Sequence, residues 1–188
     1  MSPLETLAAI LLLMNSALLA RRSVWNFPAG MAAVAIYAWV FFDARLYAVA
    51  GLQMFFLLAQ LAGLMAWRRA PTDSGEVAVR TMPARWWPCV MMAGVLGSAA
   101  LALLLHQTNA AAPISDGIVT AFSLVAQVLT NGRYVQSWPL WAGVNIMSIA
   151  LFAGQDLWIT AGLYGLLLTI ALYSWRAWTL MLAADTAP

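Results

Sequence analysis

The chain has 188 residues, of which 64% are hydrophobic and only 9% are charged. Its nine cationic residues are all arginines and leave a formal net charge of +2, which is too small and too scattered to indicate a nucleic-acid surface. So little charge cannot cover a water-facing globule, and we therefore expect a membrane protein. The single cysteine, Cys89, excludes an internal disulfide and a multi-cysteine metal site.

Seven apolar segments follow one another along the chain, and each predicts a membrane-spanning helix. They are Leu4 to Ala20, Phe27 to Phe42, Leu46 to Trp67, Trp87 to Leu105, Gly117 to Thr130, Trp138 to Phe152 and Leu157 to Trp178. The longest polar stretch, Arg68 to Arg85, contains prolines and a glycine and is predicted to be a linker. Seven tryptophans near span ends are predicted to be interfacial anchors: Trp25, Trp67, Trp86, Trp87, Trp158, Trp175 and Trp178.

An internal repeat relates the two halves of the chain at a constant offset of 111 residues. Twelve of the 46 positions from Arg22 to Trp67 are identical in the copy from Arg133 to Trp178, and the same offset carries the first segment onto the fifth. The expected domains are a first repeat (1–67), a cytoplasmic linker with a linking helix (68–110) and a second repeat (111–188). Because one extra span joins two three-span units, the repeats should be parallel, a plan that occurs in transporters. The predicted fold is an all-α transmembrane bundle of seven helices with a parallel 3+1+3 repeat, similar to the sugar transporters called SWEETs.

The arginines are distributed unevenly between the two sides of this predicted bundle. One side carries only Arg45, and the other carries Arg21, Arg22, Arg68, Arg69, Arg80, Arg85, Arg133 and Arg176. Because cytoplasmic loops hold the excess of cationic residues, we expect the amino terminus outside and the carboxyl terminus in the cytoplasm.

The sixth segment carries the most specific motif. Trp138, Trp141 and Asn145 follow the pattern Trp-x-x-Trp-x-x-x-Asn, which closely resembles the signature of the Pnu family, the nicotinamide riboside transporters and their relatives for other vitamins. Other positions are similar to that family in the fifth segment (Asp116, Thr120, Ser123, Gln127) and the third (Leu46, Tyr47, Gly51, Leu52, Gln53). The resemblance covers Trp25 to Trp178. Gln136 departs from it, because the family pattern predicts a glutamate there.

Helical spacing places the motif residues on one stripe. Trp138, Trp141, Asn145, Ser148 and Phe152 are 3, 4, 3 and 4 residues apart, so they share a helix face. The Asn145 carboxamide offers a donor and an acceptor, which complement a nicotinamide amide. An indole face also stabilises a cationic ring by about 1 to 2 kcal/mol, which favours a charged aromatic vitamin over a sugar. The alternative is that Asn145 only holds neighbouring helices together.

The polar positions differ between the repeats, as an asymmetric ligand requires. The pairs at the 111-residue offset are Asn145 with Val34, Trp141 with Gly30, and Tyr164 with Gln53. The predicted substrate-binding residues are Trp138, Trp141, Asn145, Gln53, Gln60, Gln127, Tyr164, Thr120 and Ser123. For Thr120, Ser123 and Ser148, a hydrogen bond to the backbone of their own helix is an equally good interpretation.

The mechanism is predicted from what the spans lack. No Asp, Glu, His or Arg lies deep in a predicted span, whereas proton-coupled transporters usually place one there. Cys89 and His106 lie near opposite ends of the fourth segment, and no glycine-rich phosphate loop occurs, so neither an enzyme nor an ATP-driven pump is expected. The Pnu resemblance likewise implies facilitated diffusion, with the gradient maintained by phosphorylation of the vitamin in the cytoplasm.

The leading hypothesis is uptake of nicotinamide riboside across a bacterial inner membrane. The two three-helix bundles would rock around a substrate held between them. Thiamine or another vitamin of the same family is the first alternative, and a non-transporting membrane subunit or receptor is the second. We expect no cofactor, metal or nucleic-acid partner, and relatives of this architecture suggest a homotrimer.

Overall fold

Seven α-helices account for most of the chain. The computed structural model describes residues 3–43, 47–70, 72–73, 76–107, 112–154 and 158–185. The helices are α1 (Pro3–Ala20), α2 (Asn26–Asp43), α3 (Tyr47–Arg68), α4 (Trp87–His106), α5 (Pro113–Asn131), α6 (Ser137–Ala153) and α7 (Trp158–Asp185). All seven predicted segments are therefore confirmed as helices. Three residues of these predictions lie outside the described residues. They are Leu46 and Leu157, which begin two of the predicted segments, and Arg45, which was assigned to a loop.

Helix lengths match a bilayer only in part. Three described segments, Ala84–His106, Pro113–Asn131 and Thr160–Ala184, are long and apolar enough to cross a membrane. Thr6–Ala20, Leu52–Arg68 and Ser137–Ala153 are shorter apolar helices. At 1.5 Å per residue, the 17 residues of α6 extend about 25 Å, a few ångströms short of a hydrocarbon core of about 30 Å. Local thinning or snorkelling side chains must make up the difference.

One pair of helix starts follows the offset of the internal repeat. α2 begins at Asn26 and α6 at Ser137, a difference of 111 residues. The two helices therefore begin at equivalent positions of the repeat.

The turns that precede α2 and α6 are also the same structure. The Ser23 N–H donates to the Leu18 carbonyl at 3.0 Å, and the Tyr134 N–H donates to the Leu129 carbonyl at 3.0 Å. Such a bond from five residues further on closes a Schellman turn, whose preceding residue is left-handed. Arg22 and Arg133 fill that position with φ angles of 56° and 61°. An arginine there costs about 1 to 2 kcal/mol relative to glycine, and both repeats carry it.

A matching aromatic pair fastens the helices of each repeat. Phe27 packs edge to face on Trp67 at 5.2 Å, and Trp138 packs edge to face on Trp178 at 5.3 Å. Trp67 and Trp178 are at most 1% exposed. The prediction that these two tryptophans are interfacial anchors is therefore wrong. They are core residues, and their identity in both repeats reflects packing of α2 on α3 and of α6 on α7.

The chain divides into two compact units. The first comprises Met1–Ala78 with Asn131–Arg133, and the second comprises Val79–Thr130 with Tyr134–Pro188. In the first unit, α2 packs against both α1 and α3. A two-residue strand β1 (Thr72–Asp73) pairs antiparallel with β2 (Glu76–Val77) after α3.

In the second unit, a 3-10 helix (Ala84–Trp86) leads into α4, and α6 packs against α7. α4 and α5 approach closely at Gly117, where an added Cβ atom would lie 2.9 Å from the Ser98 carbonyl oxygen and 2.9 Å from the Ala102 nitrogen. A side chain at this position would push the two helices apart.

Candidate substrate-binding site

The buried face of α6 holds most of the predicted motif. Trp138, Asn145 and Ser148 are 3%, 5% and 0% exposed, as expected if one stripe of the helix faces the protein interior. Asn145 lies eight residues after Ser137, about 12 Å along the helix. It is therefore close to the middle of α6, far from either end where water could solvate it.

Polar groups on this face lack protein partners. Trp138 Nε1 and Ser148 Oγ are buried and have no hydrogen-bond partner in the part of the chain that the structure describes. Asn145, which is 5% exposed, lies between these two residues on the same face. A buried polar group left unpaired costs about 1 to 3 kcal/mol. Two such groups on one face are typical of a site that a ligand or water completes.

Aromatic pairs close both ends of the α6 stripe. The Trp138 ring rests on Trp178 at one end, and at the other end Phe152 stacks on Tyr164 with ring centroids 5.3 Å apart and an interplanar angle of 21°. Both partners belong to α7. The structure therefore brings Tyr164, a predicted site residue, to the stripe, where it contacts Phe152.

Trp141 lies one step around α6, toward α5. Its Nε1 donates to Thr130 Oγ1 at 3.0 Å, and Thr130 Oγ1 in turn donates to the Ala126 carbonyl at 2.9 Å. The indole is half-buried. This bond satisfies the polar edge of the ring and fixes its orientation, and the faces of the ring remain the surfaces suited to a cation.

The predicted residues of α5 fall into different roles. Ser123 Oγ donates to the Val119 carbonyl at 2.6 Å, so the alternative of a bond to its own helix is confirmed. Gln127 is buried and partnered. Thr120 is half-buried.

The first unit contains a separate cluster of amide side chains. Gln60 is 8% exposed, and its buried Oε1 lacks a hydrogen-bond partner among the described residues. A Cβ atom added at Gly30 would lie 2.5 Å from Gln60 Nε2 and 2.7 Å from Asn15 Nδ2. A side chain at Gly30 would therefore have to displace the ends of both amide side chains. Gln53, the other predicted residue of α3, is half-buried.

Sequence reasoning missed Asn15. Its Nδ2 donates to the Asn26 carbonyl at 2.7 Å, so it fastens α1 to the start of α2. The available signal was an asparagine in an otherwise apolar segment. The repeat comparison concealed it, because position 126, its counterpart in the second repeat, is an alanine.

An apolar groove of about 260 Å³ lies on the second unit and does not coincide with the predicted site. α4, α5 and α6 line it, with Phe122, Pro139 and Met147 among its walls. None of the predicted substrate-binding residues lines it. It offers no polar group to a nucleoside, and we assign it no part in recognition.

These features define an α-helical protein with helices apolar enough for a membrane and an incomplete polar face buried along one of them, as in secondary transporters. The chain belongs to the nicotinamide mononucleotide transporter family, whose family model matches residues 2–180. The recognition made from the Trp-x-x-Trp-x-x-x-Asn motif is confirmed.

Relatives agree with this membership. The chain is 28% identical to the nicotinamide riboside transporter PnuC of Neisseria mucosa, an alignment that covers 94% of this chain and 72% of the relative. It is 27% identical to the PnuC of Escherichia coli strain K12, covering 95% of this chain and 85% of the relative. A crystal structure of the vitamin B3 transporter PnuC superposes with a TM-score of 0.77 at 28% identity, covering 94% of this chain and 80% of that chain.

Proposed function

We propose that this protein carries nicotinamide riboside across the membrane by facilitated diffusion with alternating access. The observation that carries the proposal is the buried polar face of α6, where Trp138 Nε1 and Ser148 Oγ have no hydrogen-bond partner among the described residues. Asn145 lies between them, and aromatic pairs stand at both ends. Relatives named as nicotinamide riboside transporters support the same substrate.

The groups on this face complement the substrate. The nicotinamide amide offers one acceptor and two donors, which can pair with the two halves of the Asn145 carboxamide. The positively charged pyridinium ring is suited to the Trp141 indole face, a contact worth about 2 kcal/mol when desolvated. Trp138 Nε1 supplies a further donor for ribose or amide oxygen.

The charge distribution favours the nucleoside over its phosphate ester. Nicotinamide mononucleotide, which the family description names, carries an additional phosphate. Recognition of a phosphate usually requires arginine, lysine or a helix amino terminus. α6 contains no charged residue, and Arg176 of α7 is exposed rather than on the buried face. We therefore expect strong discrimination against the mononucleotide.

The localisation belongs to the same proposal. We place the protein in the inner membrane with its amino terminus outside and its carboxyl terminus in the cytoplasm. Eight of the nine arginines lie on the side of the carboxyl terminus, and cytoplasmic loops hold the excess of cationic residues. A homotrimer is proposed on the resemblance alone. Native mass spectrometry in detergent tests the oligomer, and cysteine labelling from each side tests the orientation.

Competition for uptake tests the substrate. Cells that lack their own carrier and produce this protein should take up labelled nicotinamide riboside. Excess unlabelled riboside should abolish the signal, whereas thiamine and nicotinamide mononucleotide should leave most of it. Complete inhibition by thiamine would assign a different vitamin. No uptake of any vitamin would favour a receptor or a non-transporting subunit.

A further inference from the structure

A short part of the linker docks on the turn that leads into α6. We name residues 79–82 the clasp segment, and we call its contacts with the turn before α6 the clasp. Arg80 forms a parallel bridge with Tyr134, and the Val135 N–H donates to the Arg80 carbonyl at 3.1 Å. The Arg80 guanidinium carbon also lies 4.5 Å from the centroid of the Tyr134 ring, within the range of a cation–π contact.

Gln136 extends this bridge by one more rung. Gln136 Oε1 accepts the Met82 N–H at 3.0 Å, and Gln136 Nε2 donates to the Met82 carbonyl at 3.3 Å. The Gln136 backbone has already turned into the helix, with φ −66° and ψ −9°, and so cannot continue a strand. Its side-chain amide takes the place of a peptide group instead, since it has the same donor and acceptor.

Because the Gln136 side chain binds Met82, it does not cap the amino terminus of α6, which is the usual role of a residue at this position. Gln136 is the residue that precedes the first turn of α6, yet its side chain makes no hydrogen bond to the helix amino terminus. Met82, its partner, is buried. A buried peptide group requires partners, and Gln136 supplies both of them.

The first repeat does not share the clasp. The corresponding turn has the same backbone hydrogen bonds, but Trp25 stands in place of Gln136 and Ser23 in place of Tyr134. Trp25 is 73% exposed. An indole has no acceptor for a peptide N–H and a serine has no ring for a guanidinium. The clasp is therefore a property of the α6 turn and not of the repeat.

We propose that Gln136 is a positioning residue for substrate recognition, a role that rests on the proposed function. It fixes the turn two residues before Trp138, so that the indole stays packed on Trp178 with Nε1 directed to the unpartnered face. The carboxylate of a glutamate accepts the Met82 N–H but cannot donate to the Met82 carbonyl. Glutamine is the residue that satisfies both groups.

Two substitutions test the clasp against a matched control. Gln136→Leu removes both bonds and Gln136→Glu removes one, while Gln107→Leu changes an exposed glutamine at the end of α4. Amide exchange at Met82 should rise about tenfold in Gln136→Leu, by less in Gln136→Glu, and not at all in Gln107→Leu, because each lost bond weakens protection. The KM for nicotinamide riboside should rise in the same order, by about fivefold in Gln136→Leu, with the maximal rate within about twofold.

The KM and the amide exchange at Met82 show separately whether the positioning role, the clasp or the proposed function is wrong. A KM in Gln136→Leu equal to that of the wild type would overturn the positioning role, whether or not Met82 exchange rises. Unchanged exchange at Met82 would overturn the clasp itself. If the wild-type protein carries no nicotinamide riboside, the proposed function fails, and the exchange measurement still decides whether Gln136 holds residues 79–82.

Discussion

Replacing Asn145 with valine separates a substrate contact from a helix-packing role. Valine is the residue that the first repeat carries at the equivalent position, Val34, so it is compatible with this helix. Asn145 is 5% exposed and lies on the buried face of α6. If its donor and acceptor serve the substrate, Asn145→Val removes two neutral hydrogen bonds worth about 1 kcal/mol each. The resulting loss of about 2 kcal/mol corresponds to a roughly 30-fold rise in Kd.

The same change should stabilise the protein without ligand. If the Asn145 amide serves the substrate, it has no protein partner when no ligand is bound, at a cost of about 1 to 3 kcal/mol that valine relieves. A gain of about 1 kcal/mol raises the melting temperature by about 2 to 4 °C in a chain of this size. The assay is thermal unfolding of purified protein in detergent with and without nicotinamide riboside. The wild type should be stabilised by the ligand, and Asn145→Val should start higher and respond little.

Asn15→Val is the matched control, because Asn15 is equally buried but donates to the Asn26 carbonyl. Its melting temperature should fall by several degrees, since the carbonyl loses a buried partner. A fall of the same size in Asn145→Val would refute the reasoning. It would show that Asn145 holds helices together, the alternative that the sequence left open.

Substitutions at five further positions probe the rest of the account. Trp141→Ala should raise the Kd for nicotinamide riboside by about 30-fold, because the cation–π contact worth about 2 kcal/mol is lost. Trp141→Phe should keep part of that affinity and lose the bond to Thr130. A calorimetric titration that shows equal affinity in both variants would contradict this. Trp67→Ala and Trp178→Ala should each cost about 3 to 5 kcal/mol, seen as poor accumulation of folded protein, and normal yields would argue against a core role. Gly30→Ala should lower the melting temperature by forcing apart the Asn15 and Gln60 amides, while Gly143→Ala, which meets nothing within 4 Å, should raise it slightly; the opposite order would exclude the close approach at Gly30.

Hydrophobic patterning predicted the helices well because each span must satisfy its own backbone in lipid. The 111-residue offset also predicted that α2 and α6 begin at equivalent positions. The ends themselves were less certain. α5 begins at Pro113 rather than Gly117, because Ser115 and Asp116 in its first turn are polar and a hydropathy criterion excludes them. α7 continues to Asp185 rather than ending at Trp178, where the identities between the repeats end.

Side-chain roles were predictable only where chemistry left one option. An asparagine in mid-helix had to face the interior, and Asn145 does. Trp67 and Trp178 were misassigned, because a tryptophan near a span end fits an interfacial anchor and a core residue equally well. The contact between Gln136 and Met82 could not be predicted either, since nothing in the sequence relates Met82 to a turn more than fifty residues away.

The central claim is that this protein carries nicotinamide riboside down its gradient through the Asn145 face of α6. Purified protein in liposomes, with labelled nicotinamide riboside outside and no ion gradient or ATP, tests it most directly. We expect the label to equilibrate to equal concentrations on both sides, and Asn145→Val to slow entry by about 30-fold at low substrate. Entry that requires an ion gradient, or equal rates in the wild type and Asn145→Val, would contradict the account.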